Sequence, residues 1–233
     1  MIILHIDTIF QDGSVGLTKG DKIIVSYNFN SSHKTSSSLH GVINQLMIEN
    51  SIHFSDLSAV SISSGPGSYT GLRIGTSTAK GICYAMDIPL IAVNTLAAMS
   101  NYMQNFIEKN ETIKPLYRPM IDAGRREVYS ALYDSEQNCI QTIEAIIIEQ
   151  NFFENIPENH VLYIGGSGAP KFTNDIIDNK QVYLIPQNIH NIEAIAPIGI
   201  DKFFKKEFEN LAYFEPFYLK KYIPGKSTIK GLK

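Results

Sequence analysis

The sequence predicts an α/β protein with two lobes that repeat one order of elements. Each half of the 233-residue chain divides into three strands, a helix, a strand, a helix and a strand when its apolar periodicity is followed. A strand that ends in an aspartate opens each half, at Asp7 and at Asp122. A later strand in each half runs into a glycine-rich turn, at 63–75 and at 165–168. This repeated order is typical of a duplicated ribonuclease H-like unit, the actin-like two-lobed fold, in which ligands bind between the lobes.

The first half begins with a meander of three strands. A continuous apolar run at 2–6 predicts a central strand, and turn residues around 11–14 and 19–21 separate it from strands at 15–18 and 23–29. A serine-rich segment then offers N-cap oxygens to the first helix. That helix runs to about residue 49, and it is followed by a strand at 57–62, a helix at 70–86 and a strand at 90–93.

The second half repeats this order after a polar segment at 101–114, which is the expected linker. Strands are predicted at 116–123, 127–133 and 139–148, then a short helical piece near residue 152, a strand at 161–164, a helix at 171–177, a strand at 182–185 and a long helix at 192–209. We therefore predict an N-terminal lobe at 1–108, a C-terminal lobe at 109–219 and a basic flexible tail at 220–233. An alternative is that the last helix packs back on the first lobe.

The glycine-rich turn joins a strand to a helix. Such a turn aims backbone N–H groups and a helix N-terminus at one point, which favours binding of an anion. An acid at the end of a neighbouring strand is the position that holds metal-bound water near phosphate in actin-like ATPases. The candidate nucleotide-binding residues are therefore Asp7, Thr8, Gly65 and Gly67.

Known phosphate motifs do not match this turn. A P-loop requires Gly-Lys-Ser/Thr where Thr70, Gly71 and Leu72 stand, and the dinucleotide fingerprint requires its third glycine at Thr70. No neighbouring histidine or carboxylate could activate a hydroxyl of the turn as a nucleophile. We expect Ser68 or Thr70 to cap the helix that follows.

One face of that helix carries small residues. Gly71, Gly75 and Ala79 recur every four positions, so that a neighbouring backbone could approach closely. A glycine inside a helix costs about 1 kcal/mol relative to alanine, so a compensating contact is expected. Two interpretations are open: tight packing on the chain's own sheet, or an interface with another protein.

Composition narrows the class of protein. With 44% hydrophobic and 18% charged residues, the chain is ordinary for a globular protein. A net charge of −3 argues against strong binding of nucleic acid by this chain alone. No signal peptide and no apolar run near the roughly 20 residues of a membrane helix is visible. The two cysteines, Cys83 and Cys139, are expected to be reduced, buried thiols. These features predict a cytoplasmic protein without a membrane contact.

No group of residues points to catalysis by this chain. The six histidines include no pair at i, i+4 on a helix and no Cys/His cluster, so no metal site is predicted. Asp7 and Asp122 could face one cleft and do acid–base work, but capping of their turns is the expected role. We therefore predict no catalytic residue.

Four stretches of the sequence together resemble one protein family. They are Asp7-Thr8 after the first strand, Gly-Pro-Gly-Ser-Tyr-Thr-Gly-Leu-Arg-Ile-Gly at 65–75, Asp-Ala-Gly-Arg-Arg-Glu-Val-Tyr at 122–129 and Glu-Pro-Phe-Tyr-Leu at 215–219. In this order, and over nearly the whole chain, they resemble TsaB. The chain differs from the family pattern at Ile9, where a serine is usual.

The resemblance implies a function and partners. TsaB is the non-catalytic partner in the bacterial machinery that makes threonylcarbamoyladenosine in tRNA. It pairs as a heterodimer with TsaD, the catalytic subunit, and recruits TsaE, a small ATPase. TsaD would transfer the threonylcarbamoyl group to the adenosine beside the anticodon, so that tRNA meets this chain only through the complex. ATP and metal are implied for the partner subunits, and no cofactor is expected to bind tightly to this chain alone.

We expect the first helix and the small-residue helix to form the surface that docks on TsaD. Apolar side chains of the first helix would supply buried area, at roughly 1.5–3 kcal/mol for each fully buried large side chain. Docking would favour the active arrangement of TsaD. The expected interface residues are Leu39, Val42, Ile43, Leu46, Gly71, Leu72, Gly75, Ala79 and Ile82.

The sequence leaves open one further assembly and one alternative function. The same helix faces could form a homodimer when TsaD is absent, because like faces can pair. The alternative function is an actin-like ATPase or small-molecule kinase, which would bind ATP tightly as a single chain.

Overall fold

The chain forms two five-stranded mixed sheets, one in each half of the sequence. The computed structural model describes residues 1–10, 12–30, 35–107, 114–147, 152–153, 156–173, 180–185 and 188–220. Of the predicted basic tail, only Lys220 falls within this part of the chain. Among the described residues, no helix has both the length and the apolar character that crossing a membrane requires.

The sheet of the N-terminal lobe has the strand order β3-β2-β1-β4-β5. Its central strand, β1, pairs antiparallel with β2 and parallel with β4. Because β1 is buried on both faces, its sequence is a continuous apolar run instead of an alternating one. The strands are β1 (Ile2–Asp7), β2 (Asp12–Lys19), β3 (Lys22–Asn30), β4 (Ala59–Gly65) and β5 (Leu90–Asn94).

Helices cover both faces of this sheet. On one face, α1 (Thr35–Glu49) and α2 (Tyr69–Met86) lie side by side over a core that includes Leu4 and Ile6. On the other face, α4 (Ile192–Lys205) packs over Ile3. The N-terminal lobe is therefore closed by a helix from the far end of the sequence.

The sheet of the C-terminal lobe has the strand order β10-β9-β6-β7-β8. The phenylalanine rings of Phe152, Phe153 and Phe172 cluster over one face, with centroids 5.0–5.4 Å apart. The strands are β6 (Lys114–Asp122), β7 (Glu127–Tyr133), β8 (Cys139–Ile147), β9 (His160–Gly165) and β10 (Val182–Leu184).

The other face of this sheet is covered by α3 (Thr95–Met103), a helix that the sequence analysis did not predict. Leu96, Met99 and Met103 face the C-terminal sheet, whereas Ala98 belongs to the core beneath α4. Because α3 is apolar on more than one side, it lacks the amphipathic period by which a surface helix is recognised.

Two predicted elements differ in length or type. A helix was predicted at 171–177. The described residues there form only a short 3-10 turn, Ala169–Phe172, and residues 174–179 lie outside the described part of the chain. The last helix ends at Lys205, four residues before the predicted end, because Lys206 adopts a left-handed φ of 58° and its amide bonds the Lys202 and Phe203 carbonyls. The following segment returns to the N-terminal sheet, where the Glu209 amide donates to the Leu90 carbonyl over 2.9 Å.

Candidate functional site

The glycine turn after β4 is held by two other parts of the backbone. Gly65 has a φ of +108°, a conformation that residues with a side chain rarely adopt. The Ser68 amide donates to the Ile9 carbonyl over 2.8 Å, and the Phe217 amide donates to the Ser64 carbonyl over 2.7 Å. The Ser68 amide, which would have faced a bound anion, therefore already has an acceptor within the chain.

Ile9 fills the space between the first strand and this turn. Its side chain is buried, and a Cβ added at Gly67 would lie 2.6 Å from the Ile9 Cβ. The residue that departs from the TsaB pattern is therefore packed directly on one of the candidate nucleotide-binding glycines. An apolar side chain stands where a serine would place a hydroxyl.

The predicted helix cap is confirmed. The Ser68 hydroxyl oxygen accepts the Gly71 amide over 3.3 Å at the start of α2. The Thr8 hydroxyl donates to the carbonyl of the same residue, Gly71, over 2.7 Å. Thr8 therefore joins the end of β1 to the first turn of α2.

The small-residue face of α2 packs on the chain's own first strand. A Cβ added at Gly71 would overlap the Thr8 carbonyl oxygen, and one added at Gly75 would overlap the Thr8 hydroxyl. Ala79 and Leu72 are buried in the same lobe. Of the two interpretations left open by the sequence, packing on the chain's own sheet is correct. The expectation that these four residues face a partner is wrong.

The apolar face of α1 is also internal. Leu39, Ile43 and Leu46 have 0–2% of their surface exposed and belong to the core of the N-terminal lobe. Val42 and Ile82 are half-buried against the same core. The three buried side chains cannot supply area to a partner, because folding has already removed them from water. The period of an amphipathic helix shows that a face is buried, but it does not show what covers the face.

The outward faces of α1 and α2 carry other residues. On α1, Ile48 is 67% exposed; on α2, Tyr84 is 83% exposed. Gly41 and Gly81 are also exposed, and a Cβ added at either would meet nothing within 4 Å. We call this set the outward helix surface and define it as Gly41, Asn44, Ile48, Arg73, Ser77, Gly81 and Tyr84.

Asp7 is buried at the end of β1. Its carboxylate accepts the Ile9 amide over 3.1 Å. Burial raises the pKa of Asp7 to about 6, although the Ile9 hydrogen bond acts in the opposite direction. The predicted turn-capping role of this residue is confirmed.

Asp122, at the end of β6, is in a different environment. Its carboxylate is exposed, forms a salt bridge with Lys171 and accepts the Gly124 amide over 2.6 Å. Partial burial opposes ionisation, but the Lys171 ammonium and the Gly124 amide hold the pKa of Asp122 below its ordinary value. The two aspartates that end equivalent strands therefore both cap turns. One is buried and the other is bound to a lysine.

A cavity of about 490 Å³ lies between the lobes, and the sequence analysis missed the residues that line it. Asp12 and Ser14 of β2 face Ser167 and His190 of the C-terminal lobe across this cavity. Burial lowers the pKa of His190 to about 4, and its ring lies 3.7 Å from that of Phe10. The lining comes from loops and strand ends far apart in sequence, and only the general position between the lobes was predictable.

Across the described parts of the chain, no three His, Cys, Asp or Glu side chains are grouped so as to hold a metal ion. Cys83 is buried, and burial raises the pKa of its thiol to about 11. Cys139 is exposed at the first residue of β8, so the prediction that it is buried is wrong.

Comparisons with known proteins agree with this fold. The profile of a family described as TsaD, tRNA N6-adenosine threonylcarbamoyltransferase, matches residues 30–221. The tRNA threonylcarbamoyladenosine biosynthesis protein TsaB of Bacillus subtilis is 31% identical over 65% of this chain and 62% of its own length, so the aligned part spans less than two thirds of that relative. TsaB of Escherichia coli is 27% identical over 97% of this chain and 100% of its own length. The crystal structure of YeaZ from Pseudomonas aeruginosa superposes with a TM-score of 0.73 at 20% identity, covering 94% of this chain and 99% of that one.

The two mixed sheets, the glycine turn and the cavity between the lobes define the actin-like two-lobed fold. The chain belongs to the family whose profile is described as TsaD, tRNA N6-adenosine threonylcarbamoyltransferase. Its TsaB relatives, one of them matched over nearly the whole chain, and the YeaZ structure support membership of the TsaB family.

Proposed function

We propose that this chain is an accessory subunit in the biosynthesis of tRNA threonylcarbamoyladenosine, which docks on a TsaD-type transferase and activates it without catalysing the transfer. Membership of the TsaB family supports the role in this biosynthesis. The match to the TsaD profile supports the partner, because two chains with the same lobes can pack corresponding faces together. The observation that supports the docking site is the outward helix surface, whose residues are exposed in the described part of the chain.

Two features favour the outward helix surface as an interface. Ile48 and Tyr84, on two helices that contact each other, are 67% and 83% exposed, and exposed apolar patches are typical of interaction sites. Gly41 and Gly81 are exposed inside helices, where glycine costs about 0.5–1 kcal/mol relative to alanine and where no neighbour in the chain requires it. A partner that packs closely on the helix backbone would explain why glycine stands at both positions.

The revised interface replaces the one expected from the sequence. The buried residues of the expected interface support it only from inside, because they hold the two helices on the sheet. They are Leu39, Ile43, Leu46, Gly71, Leu72, Gly75 and Ala79. Val42 and Ile82 remain at its edge, because both are partly exposed. Docking would stabilise the active arrangement of the transferase, which is a shift of population and requires no donated catalytic group.

The environments of the two aspartates support a non-catalytic role. Asp7 is buried and accepts a backbone amide, and Asp122 is bound to Lys171 and Gly124. A general acid or base must be within hydrogen-bond reach of a bound substrate. Neither carboxylate is free to do this without losing the contacts that hold its turn.

The decisive experiment is co-purification of the chain with its TsaD-type partner. Gly81→Leu should abolish co-purification, because the added side chain would hold the partner away from α2. The same substitution should leave the fold intact, since the space at this position is open. Ser135→Leu, in an exposed turn of the C-terminal lobe, is the matched control and should bind the partner normally.

The experiment also separates the interface from the function. If Gly81→Leu folds and still co-purifies, the outward helix surface is not the docking site. If the wild-type chain does not raise transfer activity of the partner, or catalyses the transfer alone, the accessory role is wrong. Recruitment of TsaE and homodimerisation of the isolated chain are further parts of the proposal. Light scattering that shows only a monomer at high concentration would contradict the homodimer.

A further inference from the structure

Arg118 occupies a core position in the C-terminal sheet. It lies on β6, the central strand, between Leu116 and Met120, which point into the apolar core on the same face. Side chains alternate between the two faces of a strand, so this position would ordinarily carry an apolar residue. Arg118 is only 8% exposed. A guanidinium therefore stands in a row of core side chains.

The charge of Arg118 is incompletely compensated by the protein. One terminal nitrogen, Nη2, donates to the neutral side chain of Gln141, and the guanidinium lies 5.1 Å from the centre of the Phe152 ring. Its Nε is buried and has no hydrogen-bond partner among the described residues. Glu144 is near enough to act on its charge, but the two side chains do not form a salt bridge. A buried charge without a hydrogen-bonded counter-ion is costly and calls for an explanation.

Arg118 lines a cavity over this face of the sheet. The cavity has a volume of about 540 Å³, within the roughly 300–1,000 Å³ that small-molecule sites occupy. Most of the described residues that line it have apolar side chains, and Arg118 and Glu144 are the lysine, arginine, aspartate or glutamate residues among them. The residues that line it include Arg118, Glu144, Leu132, Ile146, Phe152 and Ile156.

We propose that this cavity binds a free apolar α-amino acid, with the ligand carboxylate on Arg118, its ammonium on Glu144 and its side chain against the apolar wall. An α-amino acid carries both charges on adjacent atoms, so it would bridge the gap between Arg118 and Glu144. Its carboxylate would satisfy the unpartnered Nε, and an arginine can hold a carboxylate through two parallel hydrogen bonds.

The charge set argues against other small anions. A phosphate dianion would meet the Glu144 carboxylate and only one cation, whereas phosphate sites gather several donors. A simple carboxylate would bind Arg118 but would make no use of Glu144, which lines the same cavity. A polar amino acid would bury its side chain against leucine, isoleucine and phenylalanine. A zwitterion with an apolar side chain matches Arg118, Glu144 and the apolar residues that line the cavity.

The proposal is tested by isothermal titration calorimetry of the full chain with L-leucine and L-phenylalanine. At least one of them should bind, and glycine, 4-methylpentanoate and 3-methylbutylamine should each bind more weakly by about tenfold or more. These three compounds lack the apolar side chain, the ammonium and the carboxylate, respectively. Arg118→Met and Glu144→Gln should each weaken binding of the amino acid by about 10- to 100-fold, because each loses a hydrogen bond to a charged group.

Controls separate loss of the site from loss of the fold. Arg118→Met should keep or raise the thermal midpoint, since an apolar residue in this core row removes an uncompensated charge. If it lowers the midpoint strongly, Arg118 is a structural residue and the proposal fails. Arg125→Met and Glu136→Gln change exposed charges of the same lobe, and both variants should bind the amino acid normally.

Absence of binding by every apolar amino acid at millimolar concentration, or equal binding of 4-methylpentanoate and leucine, would overturn the proposal. Binding here is measured without the transferase, so its failure leaves the proposed function untouched.

Discussion

Asp7 shows how a side chain that suggests chemistry can serve the fold. It ends the central strand of the N-terminal sheet and accepts the Ile9 amide two residues further on. Burial disfavours its ionised form and raises its pKa to about 6, from an ordinary value of 3.8. In the folded protein, Asp7 therefore binds its proton more tightly than in the unfolded chain.

The sign of the resulting pH dependence follows from this difference. Between pH 3.8 and about 6, the folded state holds more protons at Asp7 than the unfolded state, so the free energy of unfolding falls as the pH rises. Relative to Asp7→Asn, the wild-type protein should lose on the order of 3 kcal/mol across this window. Urea denaturation of both proteins at about pH 4 and about pH 7 measures this difference. Equal changes in the two proteins would show that Asp7 is not buried as described.

The glycines of α2 differ in what they do. Gly71 and Gly75 allow α2 to approach Thr8 at the end of β1, where any side chain would overlap the strand. A Cβ added at Gly81, on the outer side of the same helix, would meet no atom of the described residues within 4 Å outside the helix itself. Glycines that look alike in the sequence therefore serve internal packing in two cases and remain unexplained by the fold in the third.

A pair of alanine substitutions in α2 should have opposite effects. Gly81→Ala should raise the free energy of unfolding by about 0.5–1 kcal/mol, because alanine is the better helix former and the space is open. Gly75→Ala should lower it by about 1–3 kcal/mol, because the new methyl group overlaps the Thr8 hydroxyl. Chemical denaturation of both variants tests this difference. Stabilisation by both substitutions would mean that α2 does not pack on β1 through Gly75.

At the scale of the whole molecule, the two lobes exchange helices. The helix α3 follows the N-terminal sheet in sequence but packs on the C-terminal sheet, and α4 follows the C-terminal sheet but packs on the N-terminal one. The segment after α4 then runs along the N-terminal lobe, and Lys220 near its end forms a salt bridge with Glu127 of β7. Neither lobe is covered by its own part of the sequence alone.

Separate expression of the lobes should therefore fail. A fragment of residues 1–108 would expose the sheet face of Ile3, Ile91 and Val93, which α4 covers in the complete chain. We expect this fragment to aggregate or to lack cooperative unfolding by circular dichroism. Mixing it with a fragment of residues 109–233 should restore a folded complex. Cooperative unfolding of the isolated 1–108 fragment would contradict this exchange of helices.

Local patterns in the sequence were enough to predict the fold class, the order of nearly all the strands and the family suggested by the glycine turn. These follow from local causes, because strand periodicity, turn residues and the Ser68 helix cap depend on near neighbours in the chain. The positions of β1, β4 and α2, and the turn at which they meet, were therefore predictable from the sequence.

Which partner covers each apolar or small-residue face became clear from the folded chain, because distant residues supply the cover. Leu39, Gly75 and Ala79 carry the pattern of a contact surface, and the same pattern results whether the contact is with the chain's own sheet or with another protein. The helix α3 escaped prediction because it lies between two sheets, and Arg118 was unremarkable until its strand was found at the centre of a core. Burial depends on residues far away in sequence, which local patterns do not record.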